Sequence, residues 1–546
     1  MAVCRFFHIW RPEGAVPRAL SIGKVLATSR QICLISTATL NYMINGHIRD
    51  GNLEDARKLF DQNPTSQNVV SWNSLLSGYI KHDQFQQAQH MFDQMPVRNI
   101  VSWNTMLSGL RKIRNPEAIR HSFLQLRRDG LKPDEFTFSV TISALLKTAF
   151  NRLIPQLHCL VICLALNLNV YVGSALMRGY SDLKDHIALS QVFDEILAKD
   201  VSSWNALILG YMDLGLTREA QRAFELMPEK NIISWTTLVS GYINNKRLDE
   251  ARSVFNEYHE RNVVLWTAMI GGYVQCGRFI HALRLFLTML RSGTRPNHFT
   301  FSSALDACAG CSSLLMGRQI HSNISKSGVL FDVILSTSLV DMYAKCGDIE
   351  AAFILFESVP KKNLVSWNSI IGGYARHGLA TRALEEFGRM TEIGVKPDQV
   401  TYVNVLSACV HGGLVEEGER HFNSMAMYGV KVEMKHYACM VDLYGRAGII
   451  DKSVNLIEEM PFEPDVVVWG ALLAACSLHS SLEASELAAN RIYKLEKDHP
   501  AVYSLLSKIH GEQGKWGTVI DLRRMMKERR AKKQKASSWI ESSSGL

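Results

Sequence analysis

The chain of 546 residues is 47% apolar and 21% charged, with a formal net charge of +8. No apolar run reaches the roughly 18 residues that would suggest a membrane helix, and the eleven scattered cysteines point to a reducing interior rather than a disulfide framework. The positive charge is concentrated at the two ends, so the long middle is close to neutral and should not bind through a simple basic face gripping phosphates.

Residues 1–36 carry Arg5, Arg11, Arg18, Lys24 and Arg30 against the single acid Glu13, interspersed with Phe6, Phe7, Ile9 and Trp10. Rich in arginine, poor in acids and lacking the apolar core of a secretory signal, the segment has the profile of an organellar transit peptide. The mitochondrion is favoured over the chloroplast, and an unstructured tail is the bland alternative.

From Thr37 onward an aromatic ladder sets the period. Trp72, Trp103, Phe138, Trp204, Trp235, Trp266, Phe301, Trp367, Tyr402, Tyr437 and Trp469 form rungs 31, 32 or 35 residues apart, with Leu40, Gly173 and Ser336 filling the gaps. Such a period predicts small stacked units rather than an enzyme with one core. Within Val69–Asn99, Trp72, Leu75, Leu76 and Tyr79 fall at i, i+3, i+4 and i+7, and Ser71 is expected to cap that helix. A second stripe, as in Ala220, Ala223, Phe224 and Met227, ends at Pro228. Each helix–turn–helix unit is too small to bury its own apolar face, so the prediction is an all-α solenoid in which neighbours complete the core. The richest apolar stretch, Leu157–Leu166, reads as a buried helix of this array.

Unit length alternates in a fixed order. Units of 35 residues start at Ile100, Val263 and Leu364, and each is followed by a second of 35 at Glu135, His298 or Gln399. Units of 31 or 32 start at Thr37, Val69, Val170, Val201, Ile232, Val333 and Met434. With this alternation, the phrases VVSWNSLLSGYI, LVSWNSIIGGYARHG, TSLVDMYAKCGDIEAA and HYACMVDLYGRAG resemble the pentatricopeptide repeat proteins of land plants, PLS subgroup. The resemblance covers about residues 37–541. It implies a right-handed superhelix with about thirteen P-, L- and S-type motifs over 37–465, two degenerate extension motifs of the E class over 466–533, and a short tail at 534–546.

Two positions of each unit stand out. The fifth is Asn41, Asn73, Asn104, Ser174, Asn205, Thr236, Thr267, Thr337 or Asn368, with Ser139 and Ser302 also polar. The last is Asn68, Asn99, Asp134, Asp200, Asn231, Asn262, Asn297, Asn363 or Asp398. Asn, Thr and Ser are mediocre helix formers, so their return at one first-turn position suggests side chains chosen for what they touch. For the last position, service in the turn between units competes with that reading. Amides, hydroxyls and carboxylates can read a base edge, one base per helical repeat.

In the family these two positions choose the base, and an apolar second residue wedges between neighbouring bases. Here that residue is Val70, Val101, Ile233, Val264 or Val365, joined by Phe136, Tyr171, Phe299, Ile334 and Val400, with Ala38, Ser202 and Lys435 as weaker matches. The family's pairing tendencies are Asn/Asn for C, Asn/Asp for U and Thr/Asn for A. They imply a single-stranded target resembling 5′-CCU-n-(G)-CAA-n-AU, with an editable C a few nucleotides beyond.

No catalytic constellation completes itself in the sequence. His510-Gly511-Glu512 matches the first half of a zinc deaminase by letter, but no cysteine follows Cys476 to supply the thiolate pair. Cys308 and Cys311 form the only Cys-x-x-Cys and read as packing residues, so no metal or cofactor is expected. The resemblance implies a site-recognition factor for C-to-U editing of organellar transcripts. It would recruit in trans a protein carrying the DYW-type deaminase domain, with accessory proteins of the multiple organellar editing factor type. Transcript stabilisation, splicing or processing without editing is the alternative, and a peptide-binding scaffold a third reading. The basic run Arg523–Lys535 reads as a solvated helix end with a tail, or as a phosphate contact.

Overall fold

The computed structural model describes residues 36–479, 481–496 and 500–528. The arginine-rich segment, the basic run beyond Glu528 and the tail at 534–546 lie outside the described residues. Thirty α-helices and two short 3-10 turns follow one another, with no strand among the described residues. The fold is an all-α solenoid of helical hairpins. Among the described residues no helix is long and apolar enough to cross a membrane. The chain divides into two compact units, Met1–Gly179 and Tyr180–Leu546.

In both units the hairpin is built alike. Most first helices have thirteen residues, as in Val69–Lys81, Ile100–Lys112 and Leu364–Arg376. Second helices have ten in the shorter repeats, such as Phe85–Gln94 and Thr217–Leu226. They have thirteen in the repeats that begin at Ile100, Val263 and Leu364, namely Pro116–Arg128, Phe279–Arg291 and Ala380–Glu392. The added length of those repeats therefore goes largely into the second helix.

The aromatic ladder is the joint between successive hairpins. A phenylalanine from one second helix meets the tryptophan of the next first helix edge-on: Phe60 and Trp72 at 4.8 Å, Phe92 and Trp103 at 4.7 Å, Phe224 and Trp235 at 4.8 Å, Phe356 and Trp367 at 4.9 Å. Each such pair adds about 0.5–1.5 kcal/mol beyond its area burial. The same joint uses size complementarity. A Cβ on Gly317 would strike Met342 of the next first helix, and one on Gly418 would strike Leu443. At other joints the partners are reversed: a Cβ on Gly210 of a first helix would strike Leu189 of the preceding second helix, and one on Gly179 would lie 2.9 Å from Ile154 Cδ1.

Two expectations are corrected here. Ser71 is not the N-cap of Val69–Lys81: Asn68 is, and Ser71 is the third residue of the helix, its hydroxyl answering the Asn68 backbone N–H in a reciprocal box. The cap belongs one position before the helix, on the closing residue of the preceding repeat. The stretch Leu157–Leu166 is only half interior. Leu157 and Val161 are buried, but Cys159, Ile162 and Cys163 face outward from the helix Ile154–Cys163. Apolar content alone does not say how many faces of a helix have neighbours.

Candidate nucleic-acid interface

The last residue of each repeat is the N-cap of the next first helix. Asn68, Asn99, Asn231, Asn297 and Asn363 accept through Oδ1 from the backbone N–H three residues on, at 2.9–3.0 Å. Asp134, Asp200 and Asp398 do the same at 2.8 Å, and Asn262 at 3.0 Å. This satisfies one of the donors that a helix start leaves open. The turn-service reading of this position thus describes a real contact, which occupies part of the polar head. Asn68, Asp200, Asn231 and Asn363 remain exposed.

The fifth residue of a repeat reaches that same cap. Asn73 Nδ2 donates to Asn99 Oδ1 at 3.2 Å, and Asn41 Nδ2 to Asn68 Oδ1 at 3.4 Å. Asn104 Nδ2 donates to both carboxylate oxygens of Asp134, at 3.0 and 3.1 Å, and Asn368 Nδ2 to Asp398 at 3.1 Å. In both Asn/Asp pairs a threonine hydroxyl bridges the two side chains, its one hydrogen shared between them: Thr137 lies 2.7 Å from both Asn104 Oδ1 and Asp134 Oδ1, and Thr401 lies 2.7 Å from Asn368 Oδ1 and 2.8 Å from Asp398 Oδ1. Burial alone would raise the Asp398 carboxyl. The hydrogen bonds from the Thr401 N–H and hydroxyl and from Asn368 outweigh it, holding the group below the usual carboxylate value.

The threonine repeats are arranged differently. Thr236, Thr267 and Thr337 turn their hydroxyls back onto the carbonyls of Ile232, Val263 and Val333. Thr267 and Thr337 also meet the hydroxyls of Thr300 and Ser366, the third residues of the next first helices, at 2.6 and 2.8 Å. The short side chain reaches the neighbour of the cap rather than the cap. Ser174 and Asn205 are half-buried on the first turns of their own helices, and Thr337 and Asn104 are buried.

The second positions form an exposed apolar row. Val70, Val101, Ile233, Val264 and Val365 are each 51–60% exposed, and Phe136, Tyr171, Phe299, Ile334 and Val400 are exposed as well. Scattered apolar residues on a surface need no explanation, but one per hairpin at one register does. Second and fifth residues lie three apart on a helix and share a face. Val467 continues the row into the first extension motif, beyond the repeats whose length marks the register.

A second row also escaped notice. Arg49, Lys81, Lys112, Lys345, Arg376 and Arg446 occupy the thirteenth position, in the last turn of the first helix, where cations oppose the negative helix end. Several carry a local acid: Lys112 pairs with Asp83 at 2.5 Å, Lys345 with Asp341 at 2.6 Å and Arg446 with Asp442 at 3.0 Å. These acids offset three of the six cations locally. The row is interrupted in the middle of the array, where Asp182, Asp213, Asn244 and Gln275 take the thirteenth position. No group of three or more His, Cys, Asp or Glu is placed to hold a metal among the described residues.

Comparison with known proteins bears on this arrangement. The PPR repeat model matches residues 38–62, 70–100, 202–232, 233–263, 335–364, 400–430 and 436–463. The PPR repeat family model matches 98–147, 261–310 and 362–411, and the E motif model matches 479–541. A pentatricopeptide repeat-containing protein of Arabidopsis thaliana is 44% identical over 508 residues, covering 93% of this chain and 80% of the relative. A second from the same plant, labelled chloroplastic, is 36% identical over 503 residues, covering 91% and 59%. Other Arabidopsis relatives are longer, and the chain spans between 31% and 48% of their length. The crystal structure of the pentatricopeptide repeat protein PPR10 from maize superimposes with a TM-score of 0.53 at 19% identity, covering 91% of this chain and 79% of that one, a likeness of fold.

Proposed function

Since the chain belongs to the pentatricopeptide repeat family and carries an E motif, we propose that it is a sequence-specific single-stranded RNA-binding protein that selects sites for C-to-U editing in organellar transcripts. The observation that carries this reading is the direct pairing of fifth and last residues at Asn41, Asn73, Asn104 and Asn368, together with the exposed apolar second residues that recur along the array, such as Val70, Val101 and Val365. A planar amide held edge-on by a cap presents donors and acceptors to one base, and the neighbouring Val, Ile or Phe offers a surface for that base to rest on. Aromatic stacking contributes on the order of 1–3 kcal/mol per base and aliphatic contact less, so several modest contacts sum to a tight complex. The thirteenth-position cations would meet the phosphates.

The chain's role in this reading is selection. A deaminase of the DYW type would act in trans, brought in through the E motif, with multiple organellar editing factors as accessory partners. Relatives labelled chloroplastic and mitochondrial support an organellar site, and the arginine-rich first 36 residues favour the mitochondrion. The test is to sequence organellar transcripts from plants with and without the gene. Loss of conversion at one or a few cytidines downstream of a 5′-CCU-n-(G)-CAA-n-AU-like element is the expected result. Intact conversion with a missing, unspliced or unprocessed transcript would replace editing by stabilisation, splicing or processing.

A further inference from the structure

The repeat Glu135–Asn169 departs from its two sister repeats, and the departure opens a cleft. The sister first helices run His298–Gly310 and Gln399–Gly412, and their second helices begin at Leu314 and Val415. Here the first helix stops at Leu145, a 3-10 turn occupies Asn151–Leu153, and the second helix starts late, at Ile154 with Pro155 behind it. The result is a half-open cavity of about 450 Å³ between these elements and the preceding second helix Pro116–Arg128. Its walls are largely Phe123, Leu124, Leu145, Leu157 and Leu160.

Polar or charged groups appear where the sister repeats are mostly apolar. Thr141 is 1% exposed and its hydroxyl has no hydrogen-bond partner, whereas the sisters place Ala304 and Val405 at that register. Arg120, whose Nε is also buried without a partner, replaces Leu283 and Leu384. Arg127, at the same cavity, replaces Leu290 and Thr391. The outward face of the second helix changes in the opposite sense: Cys159, Leu160 and Cys163 stand where one sister has Ser322, Asn323 and Lys326. A buried hydroxyl left unpaired costs about 1–3 kcal/mol, and an apolar surface open to water gains nothing in the free protein. Apolar walls with a few convergent polar groups, in the roughly 300–1,000 Å³ range, are the pattern of a small-molecule site.

We propose that this cleft binds a single-chain aliphatic carboxylate, its alkyl chain between the leucines and its head group held by Arg120 and Arg127, with Thr141 as the buried hydrogen-bond donor. The two guanidiniums select an anion over an alcohol or amine. A half-open volume of about 450 Å³ suits one chain better than a bilayer surface. The site is separate from the row of fifth and last residues and does not depend on how RNA is read.

Decanoate is the probe, titrated into the full chain by calorimetry beside decanol and decylamine. Cys159 and Cys163, at the cavity wall and exposed, supply a second readout through their rate of alkylation. Burial pushes the thiols of Cys409 and Cys476 up to about 12 and about 11, which makes them unreactive internal references. Decanoate should bind saturably, displace neither RNA nor fold, and slow alkylation of both wall cysteines. Arg120→Leu and Thr141→Ala restore residues that the sister repeats already carry, so they keep the hairpin folded, and each should weaken decanoate roughly tenfold or more. Four outcomes would overturn the proposal. They are no saturable binding of decanoate, equal binding of decanol, indifference to both substitutions, or uptake only onto phosphatidylglycerol vesicles without binding of the free acid.

Discussion

Asn99→Ala and Asn99→Asp disturb the same hydrogen bonds with opposite consequences. Asn99 Oδ1 accepts from the Ser102 N–H at 3.0 Å, the Ser102 hydroxyl at 2.9 Å and the Asn73 amide at 3.2 Å. Alanine removes all three, and loss of an N-cap of this kind costs about 1 kcal/mol. Aspartate keeps an acceptor in place and adds a negative charge at the helix start, worth roughly 0.3–1 kcal/mol in its favour. Amide exchange in the first turn of Ile100–Lys112 should therefore accelerate about fivefold in Asn99→Ala, the factor that about 1 kcal/mol gives, and stay unchanged or slow in Asn99→Asp. Binding to RNAs substituted one base at a time should show Asn99→Asp moving the preference at a single nucleotide from C toward U, by on the order of 1–3 kcal/mol. Asn99→Ala should flatten it. If aspartate preserves the helix start yet leaves base preference as it was, Asn99 is a cap and nothing more. If aspartate frays the helix as alanine does, the hydrogen-bond geometry described for this joint is wrong.

Acid should loosen the joint at Asp398. Its folded-state pKa is depressed, so the stabilisation is present above the unfolded value of about 3.9 and disappears as pH falls through the folded one. Asp398→Asn should remove that part of the acid sensitivity, read as exchange in the helix Gln399–Gly412. Gly241→Ala would drive a methyl into Met212 and should cost about 1–3 kcal/mol in urea unfolding, while Gly388→Ala, with nothing within 4 Å, should be neutral or stabilising by up to about 1 kcal/mol. Phe136→Ala and Phe299→Ala remove exposed rings, so they should leave stability within about 0.5 kcal/mol and weaken RNA binding by about 1–3 kcal/mol each. Lys81→Ala should lower the salt dependence of RNA binding by about 0.7 in slope; an unchanged slope would take the thirteenth-position row away from the phosphates.

The solenoid could be read from the sequence because its cause is periodic. Trp72 and its counterparts recur at the repeat length, and a period of that size admits little besides stacked hairpins. The second and fifth positions could be singled out for the same reason. What periodicity could not give was contact. The bond from Asn73 to Asn99 spans 26 residues and depends on how the second helix returns the chain, so spacing alone could not distinguish it from the different arrangement at Thr236, where a side chain one bond shorter folds onto its own helix. The local pattern points to Ser71 as the cap because it marks the first turn without marking which residue precedes it. At Leu157–Leu166 the apolar content marks an interior helix, yet Cys159, Ile162 and Cys163 are exposed, because composition does not say which faces of a helix have neighbours.

The exchange of partners between Ile154 and Gly179 limits how freely these hairpins could be shuffled. At the joints of Gly317 with Met342 and Gly418 with Leu443, the recess is on the earlier helix and the knob on the later one; at Ile154 and Gly179 the two have changed sides. Grafting Glu135–Asn169 in place of His298–Asp332 would set Ile154 against Met342, two knobs with no recess. The converse graft would leave glycine facing glycine across a void. Neither fault concerns the residues proposed to touch RNA. The succession of hairpins is therefore keyed by shape as well as by period, and a redesigned array must carry its joints along with its recognition positions.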